Sequence, residues 1–241
     1  MMAFIEVLDI KKTYKLGERY VEALRGVTLS INKGEFVKIL GPSGSGKSTL
    51  IGIMGGLLRP TSGKVFIEGI SIWELPDKEL SELRNKKIGF VFQNMSLLSS
   101  LKVIDNVVSP TVFSSEKKEN IYNKARNLLD LIGLGDKYND YPNELSGGEQ
   151  RRVAIVRALI NDPDIILADE PTGELDIRTE QEIIELFRYL NRNLNKTIIV
   201  VTHSLKWLNV EGRTLLMKDG LIYEHVSNPE EFLLEAKHES D

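Results

Sequence analysis

The sequence predicts an α/β fold in which a parallel sheet is covered on both faces and an antiparallel piece is added near the N-terminus. Three observations carry this. The apolar runs at 165–168 and 198–201 have strand length and no polar alternation, which marks strands buried on both faces. Segments with a 3.6-residue apolar period lie between such runs, so strand and helix alternate along the chain. The early residues Val27, Leu29, Ile31 and later Val65, Ile67 instead alternate with polar ones, as half-buried antiparallel strands do.

In order, the first strand ending at Ile31 stops at Asn32-Lys33-Gly34. Residues 36–40 read as a buried strand, followed at once by a glycine-rich turn and a helix from Lys47. Asp77 is a plausible N-cap for a short helix carrying Leu80 and Leu83, and residues 88–92 form the next strand. Residues 94–115 read as polar and irregular. Ala125, Leu128, Leu129 and Ile132 then mark an amphipathic helix ending near Gly133. A helix after Ser146-Gly147-Gly148 carries Val153, Val156, Leu159 and Ile160, and another carries Ile183, Phe187, Leu190 and Leu194. Residues 215–223 read as a hairpin turning at Asp219-Gly220, and from about residue 226 the chain is expected to be a polar, fraying tail.

The 241 residues include 31 Lys and Arg against 35 Asp and Glu, a net charge of −4, so no chain-wide basic field exists to collect nucleic acid. The absence of cysteine excludes disulfides, thiolate metal sites and cysteine nucleophiles. The longest apolar stretch, 50–58, contains three glycines and falls far short of the roughly 20 residues that span a bilayer. The N-terminus has no basic n-region and no long apolar core, so a cytoplasmic chain is expected.

Gly41-Pro42-Ser43-Gly44-Ser45-Gly46-Lys47-Ser48 fits G-x-x-x-x-G-K-[ST], with the strand before and the helix after that this phosphate loop requires. Its glycines let backbone N–H groups curl around an anion, and the helix N-terminus adds about half a positive charge. Lys47 is expected to reach the β- and γ-phosphates of a nucleotide, and the Ser48 hydroxyl to sit on Mg²⁺. The strand at 165–168 runs straight into Asp169-Glu170, and a parallel strand delivers its C-terminal end to the ligand crevice. Asp169 is then the candidate Mg²⁺ holder and Glu170 the candidate base for the attacking water. Leu145-Ser146-Gly147-Gly148-Glu149-Gln150-Arg151 opens a helix with a hydroxyl and two glycines, which suits either a second anion cradle or ordinary N-capping. Taken alone, His203 after the apolar strand reads as a capping or core histidine, and Tyr14 as a strand-end aromatic.

The phosphate loop, Gln93, residues 145–150, Asp169-Glu170 and His203 stand in the order found in ATP-binding cassettes. Over about residues 4–224 the chain resembles the nucleotide-binding subunit of an ABC transporter, of which Leu-Ser-Gly-Gly is the signature. Tyr14-Lys15-Leu16-Gly17-Glu18, Ala23-Leu24-Arg25-Gly26-Val27, Ile88-Gly89-Phe90-Val91-Phe92-Gln93 and Leu167-Ala168-Asp169-Glu170-Pro171-Thr172-Gly173 resemble the ATPases of lipoprotein-release and macrolide-export systems more closely still.

The resemblance implies a P-loop NTPase core at 1–93 and 151–225 with an N-terminal antiparallel β subdomain, a helical signature subdomain at 94–150, and a tail at 226–241. It implies ATP and Mg²⁺ as ligands, and a head-to-tail pair of cassettes, from a second copy or a related chain, with ATP between them. Residues Gly41 to Thr49, namely Gly41, Pro42, Ser43, Gly44, Ser45, Gly46, Lys47, Ser48 and Thr49, would hold one side of the nucleotide. Ser146, Gly147 and Gly148 of the opposite cassette would hold the other. Tyr14 matches the aromatic that stacks on adenine, and Asp176 the loop that communicates across the pair. Gln93 matches the glutamine that senses Mg²⁺ and water and begins the surface facing a permease, and His203 matches the switch histidine at the γ-phosphate. A separate integral-membrane permease is the implied partner, met at the cytoplasmic face, with no nucleic acid expected.

Three positions depart from the pattern. Glu174 stands where Asn, Ala or Ser is usual, and Arg178 is expected to answer it as an i+4 pair. Ser204 replaces an acid common after the switch histidine, and Glu149-Gln150-Arg151-Arg152 replaces a glutamine-rich run. The competing readings are a soluble cassette acting on nucleic acid or the ribosome, a small-molecule phosphoryl transferase, and a nucleotide-binding regulator without turnover. The first usually has two cassettes or a basic arm, the second leaves residues 145–150 unexplained, and the third is at odds with intact Lys47, Asp169, Glu170 and His203.

Overall fold

The computed structural model describes residues 3–112, 114–224 and 226–238. Two sheets organise them. Strands β1 (Ile5–Leu16) and β2 (Arg19–Ile31) form a long hairpin, and β1 also pairs with β4 (Ser62–Ile67), which continues to β5 (Ile70–Ser71). This four-stranded antiparallel sheet has the order β2-β1-β4-β5. The sequence reading finds the end of β2 and β4 but not β1, whose outer half carries Lys11, Lys12 and Lys15 and so lacks clean alternation.

The second sheet comprises β3 (Phe36–Leu40), β6 (Ile88–Val91), β7 (Ile165–Asp169), β8 (Thr197–Thr202), β9 (Arg213–Lys218) and β10 (Leu221–Tyr223). Its order is β10-β9-β3-β8-β7-β6, parallel except for β10. The β9–β10 hairpin turns at Asp219 and Gly220, with φ of 49° and 75°, the paired left-handed conformations of a type I′ turn.

The period of two decides what each strand faces. Val37, Ile39, Ile165, Leu167, Ile199 and Val201 turn one way, into a core closed by helix α1 (Lys47–Met54) and the antiparallel sheet. Phe36, Leu40, Ile166, Ala168, Ile198 and Val200 turn the other way, against α5 (Gly147–Leu159) and α6 (Ile177–Arg192). Helix α2 (Asp77–Lys87) adds Leu80 to the first core; its N-cap is Pro76, with Asp77 inside the first turn rather than capping it.

A third core joins α3 (Val103–Val108), α4 (Lys118–Leu131) and α5. Helix α3 lies in the stretch that reads as irregular. Its six residues are too few for a periodic signal, yet Val103, Ile104 and Val107 are buried. The expected subdomain boundary at 150 falls inside α5, which puts Val153, Val156 and Ile160 into the helical core and Ile155 and Leu159 into the sheet core. The boundary is therefore a shared helix and not a point in the chain.

The expected fraying tail also differs. Residues Pro229–His238 form α7, Leu233 is buried in the second core, and the Phe232 ring packs on Tyr223 with centroids 5.2 Å apart. Only one or two of its side chains are needed to dock a helix this short, too few to stand out in a polar segment. Leu233→Ala is expected to lower unfolding stability by about 2 kcal/mol, at the small end for a buried leucine because α7 is peripheral. A urea titration checks it, and an unchanged midpoint would mean that α7 contributes nothing.

Candidate functional site

The site forms where β3, β7 and β8 end. The parallel register aligns Leu40 with Thr202 and Asp169 with Val201, so three strand ends open into one crevice. Between Leu40 and α1 the loop 41–46 is anchored by hydrogen bonds from Gly41 N to Thr202 O (3.2 Å) and from Gly220 N to Ser45 O (3.0 Å). Gly46 caps α1 at φ 105°, and a Cβ there would meet Ala23 O at 2.4 Å, so only glycine fits. Ser43, Gly44 and Ser48 are exposed at the mouth, while Pro42, Ser45 and Lys47 are buried.

Lys47 is 6% exposed, and its Nζ donates to the carbonyls of Gly41 (2.8 Å) and Pro42 (2.9 Å), which shapes the loop around its own cation. Burial pushes its pKa down, opposed by the charges of Glu170 and Asp169. Asp169 shares strand parity with Ile165 and Leu167, which places it on the α1 side with Ser48. Burial raises its pKa, the Ser48 hydroxyl opposes this, and Glu170 adds to it. Asp169 Oδ1 is buried and makes no hydrogen bond.

Glu170 turns out of the strand at φ 46°, a left-handed conformation costly for a residue with a Cβ. The reward is a carboxylate that is nearly enclosed and closely held. Oε2 accepts from Thr202 Oγ1 (2.8 Å) and His203 N (3.2 Å), Oε1 meets His203 Nδ1 at 2.8 Å, and Lys47 Nζ lies 3.8 Å away. Lys47, Ser48, Asp169, Glu170 and His203 are thus brought together. Tyr14 joins them from β1, its hydroxyl 3.4 Å from Thr49 Oγ1 on α1.

The signature residues sit at the N-terminus of α5. Ser146 is the N-cap of α5 in a reciprocal capping box: Glu149 N donates to its Oγ (3.3 Å), and Ser146 N and Oγ donate to Glu149 Oε2 (2.8 and 2.7 Å). Of the two open readings of Ser146, capping is therefore realised. Gly147 is open, whereas a Cβ on Gly148 would meet Thr179 Cγ2 at 2.4 Å. Thr179 in turn donates to Asp176, the N-cap of α6, so Gly148 and Asp176 are parts of one exposed ridge.

Gln93 is exposed just past β6, and its backbone is held by a residue the sequence reading did not single out. Arg151 of α5 donates to Phe92 O (2.7 Å) and Gln93 O (2.8 Å), and Arg157 donates to Met95 O and Ser96 O (both 2.7 Å). Both arginines are desolvated, which lowers their pKa. Thr202 was likewise missed; its only signal is a hydroxyl directly before His203 at the end of an apolar strand. Arg151 stands in the 149–152 run that departs from the family pattern, but nothing local assigns it this contact with the carbonyl of Gln93.

The expected Glu174–Arg178 pair does not form. Helix α6 starts only at Ile177, and Glu174 lies before it at φ 64°, so the two are not one helical turn apart. Arg178 pairs with Glu182 (3.3 Å), and the charge of Glu174 acts on Arg151.

The ABC transporter family profile matches residues 24–173. An ABC transporter ATP-binding protein of Thermotoga maritima is 50% identical over 222 residues, covering 92% of this chain and 94% of that one. The chain belongs to the ABC transporter family, as one of its ATP-binding proteins. The macrolide export ATP-binding/permease protein MacB of Rhodopirellula baltica is 44% identical over 92% of this chain, which spans only 33% of that longer protein. Among solved structures, the cassette MJ0796 of Methanocaldococcus jannaschii, a dimer in a post-hydrolysis state bound to ADP and Pi, superposes with a TM-score of 0.84 at 42% identity, covering 93% of this chain and all of that one. The mixed α/β cassette fold and ATPase activity expected from the sequence agree with this membership.

Two predictions follow from the geometry. Lys47→Ala is expected to weaken ATP binding about 10- to 100-fold, through loss of a charged donor to phosphate, as read by titration with a fluorescent nucleotide. Ser146→Ala is expected to cost about 1 kcal/mol at neutral pH through loss of the cap. The Ser146 hydroxyl and backbone hold Glu149 below its usual pKa. A depressed carboxylate contributes stability above its unfolded value, about 4.3, and loses it as pH falls through the lower folded value. The melting-temperature gap between wild type and Ser146→Ala should therefore shrink on acidification. A gap that stays constant with pH would count against the capping box.

Proposed function

We propose that the chain is the ATP-hydrolysing subunit of a transport complex, working as a head-to-tail pair of cassettes that drives a separate membrane permease from its cytoplasmic face. The observation that carries the chemistry is the Glu170 carboxylate, lodged between Lys47 and His203 at the mouth of the phosphate loop. The pairing is supported by the exposed Ser146, Gly147 and Asp176 beside the half-buried Gly148 and by the dimeric ADP-bound relative. A membrane permease as the partner is supported by the MacB relative, an ATP-binding/permease protein. No helix among the described residues is long and apolar enough to cross a membrane.

In this reading the backbone N–H groups of the loop after Pro42 and the Lys47 ammonium receive the phosphates, Tyr14 stacks on the adenine, and Ser146 and Gly148 of the opposite cassette close over the γ-phosphate. Glu170 accepts a proton from the water that attacks the γ-phosphorus. The bond from that phosphorus to the bridging oxygen breaks, and ADP and inorganic phosphate leave. His203 Nδ1 and the Thr202 hydroxyl hold both carboxylate oxygens during this transfer. Gln93, by the resemblance, would sense the ion and water and carry that state to the segment after β6.

Mg²⁺ fits the donors present: Asp169 Oδ1 is buried without a partner and the Ser48 hydroxyl stands beside the same carboxyl group. Such a pair of oxygen ligands suits an ion that completes its shell with phosphates and water. When bound, the ion would neutralise charge on the transferred phosphoryl group. The net charge of −4 weighs against a nucleic-acid role, and the 145–150 signature against a small-molecule phosphoryl transferase.

Glu170→Gln should retain ATP binding, lower turnover by about 100-fold or more, and trap an ATP-bound dimer. Phosphate release and size-exclusion chromatography with ATP measure this. Undiminished turnover would remove Glu170 from the role of base.

A further inference from the structure

A second buried carboxylate lies behind the site. Glu180, in the first turns of α6, is 6% exposed and faces the chain just past His203. Its Oε1 accepts from Ser204 Oγ (2.8 Å) and Thr172 Oγ1 (3.2 Å), and its Oε2 pairs with Lys206. Trp207, fully buried, donates from Nε1 to Thr172 Oγ1 at 3.1 Å. Ser204 N in turn donates to Thr202 Oγ1 (3.1 Å), the same hydroxyl that donates to Glu170. Two carboxylates therefore bracket residues 202–206: Glu170 takes Thr202 and His203, and Glu180 takes Ser204 and Lys206. The connection closes on itself, because Thr172, two residues after Glu170, is also bound to Glu180.

Burying a carboxylate is costly, and a partnered one is seldom better for stability than an apolar residue of the same size. What the ring does instead is restrict geometry. Strand β8 ends at Thr202, and only one short helical turn, 205–209, follows, so the local backbone alone does not hold His203 in place. Glu180 follows Asp176 by one turn, and its N–H donates to Asp176 O at 2.9 Å, so the position of 203–206 is tied to the N-terminus of α6.

We propose that Glu180 is a positioning residue for the hydrolytic site, holding Ser204, and through it His203 and the Glu170–Thr202 contact, in register with the start of α6. This rests on the reading of Glu170 and His203 as the reacting groups. Small misplacements of such groups are expensive in rate while leaving nucleotide affinity, set by the phosphate loop, intact.

The test is steady-state ATP hydrolysis by the full chain, with fluorescent-nucleotide binding and thermal melts, for Glu180→Ala, Glu180→Gln, Ser204→Ala and the double variant Glu180→Ala/Ser204→Ala. Glu180→Ala should lower kcat about tenfold with KM for ATP within about twofold. Glu180→Gln keeps an acceptor for Ser204 and Thr172 and should recover most of that loss. Ser204→Ala should lower kcat at a near wild-type melting temperature, and the double variant should be no slower than Glu180→Ala, because both remove the same connection. Normal kcat in Ser204→Ala, additive losses in the double variant, or losses that merely track the folded fraction would overturn the proposal; the first of these decides even if Glu180→Ala does not fold. Glu170→Gln serves as the reference. If it abolishes turnover while the Glu180 variants behave as wild type, this inference alone fails. If it leaves turnover intact, the reading of the site fails and takes this inference with it.

Discussion

The contact between the Glu170 carboxylate and the Thr202–His203 end of β8 ties two strand ends together, and the geometry of the whole site depends on it. It exists because β7 and β8 run parallel in a register that pairs Asp169 with Val201, leaving the next residue of each strand at the same height. The left-handed turn at Glu170 then swings the carboxylate back over β8 instead of letting it continue along the strand. Lys47, at the start of α1 just past β3, reaches the same point from the strand on the other side of β8. Phosphate loop, acid and histidine thus converge without being near one another in sequence.

That convergence is expensive locally. A glutamate with positive φ, a lysine buried against its own loop carbonyls and an aspartate with an unpartnered oxygen are each unfavourable. The two apolar cores on either face of the parallel sheet supply the rigidity that sustains them. Strand residues of alternate parity pack into both cores, so the strand ends have little freedom to relax. Polar connections extend the same rigidity outward: Arg151 and Arg157 fasten the segment after β6 to α5, and Glu180 fastens the segment after β8 to α6. In each case a long or acidic side chain replaces regular backbone pairing where the chain has left the sheet.

Much of the site was legible before the fold. The phosphate loop depends on local backbone chemistry, so residues 41–48 carry their own diagnosis, as do an apolar strand ending in Asp169-Glu170 and the signature at 145–150. Helix α3 and β1 escaped because six residues, or a strand tip rich in lysine, show no period. The Glu174–Arg178 expectation assumed a helix reaching back to 174, whereas Asp176 caps α6 and ends it there. Ser146 was open between cap and cradle because both uses draw on the same hydroxyl.

The sequence by itself determined the strand-and-helix alternation, the nucleotide-binding loop and the family, since each is written in contiguous residues whose spacing reflects the backbone they build. Tertiary structure alone decided which distant groups meet: Thr202 and His203 on Glu170, Arg151 on the carbonyl of Gln93, Ser204 and Lys206 on Glu180, and Leu233 in the sheet core. Those contacts span tens of residues, and their existence follows from parallel register and helix packing, which no local pattern of apolar and polar residues specifies.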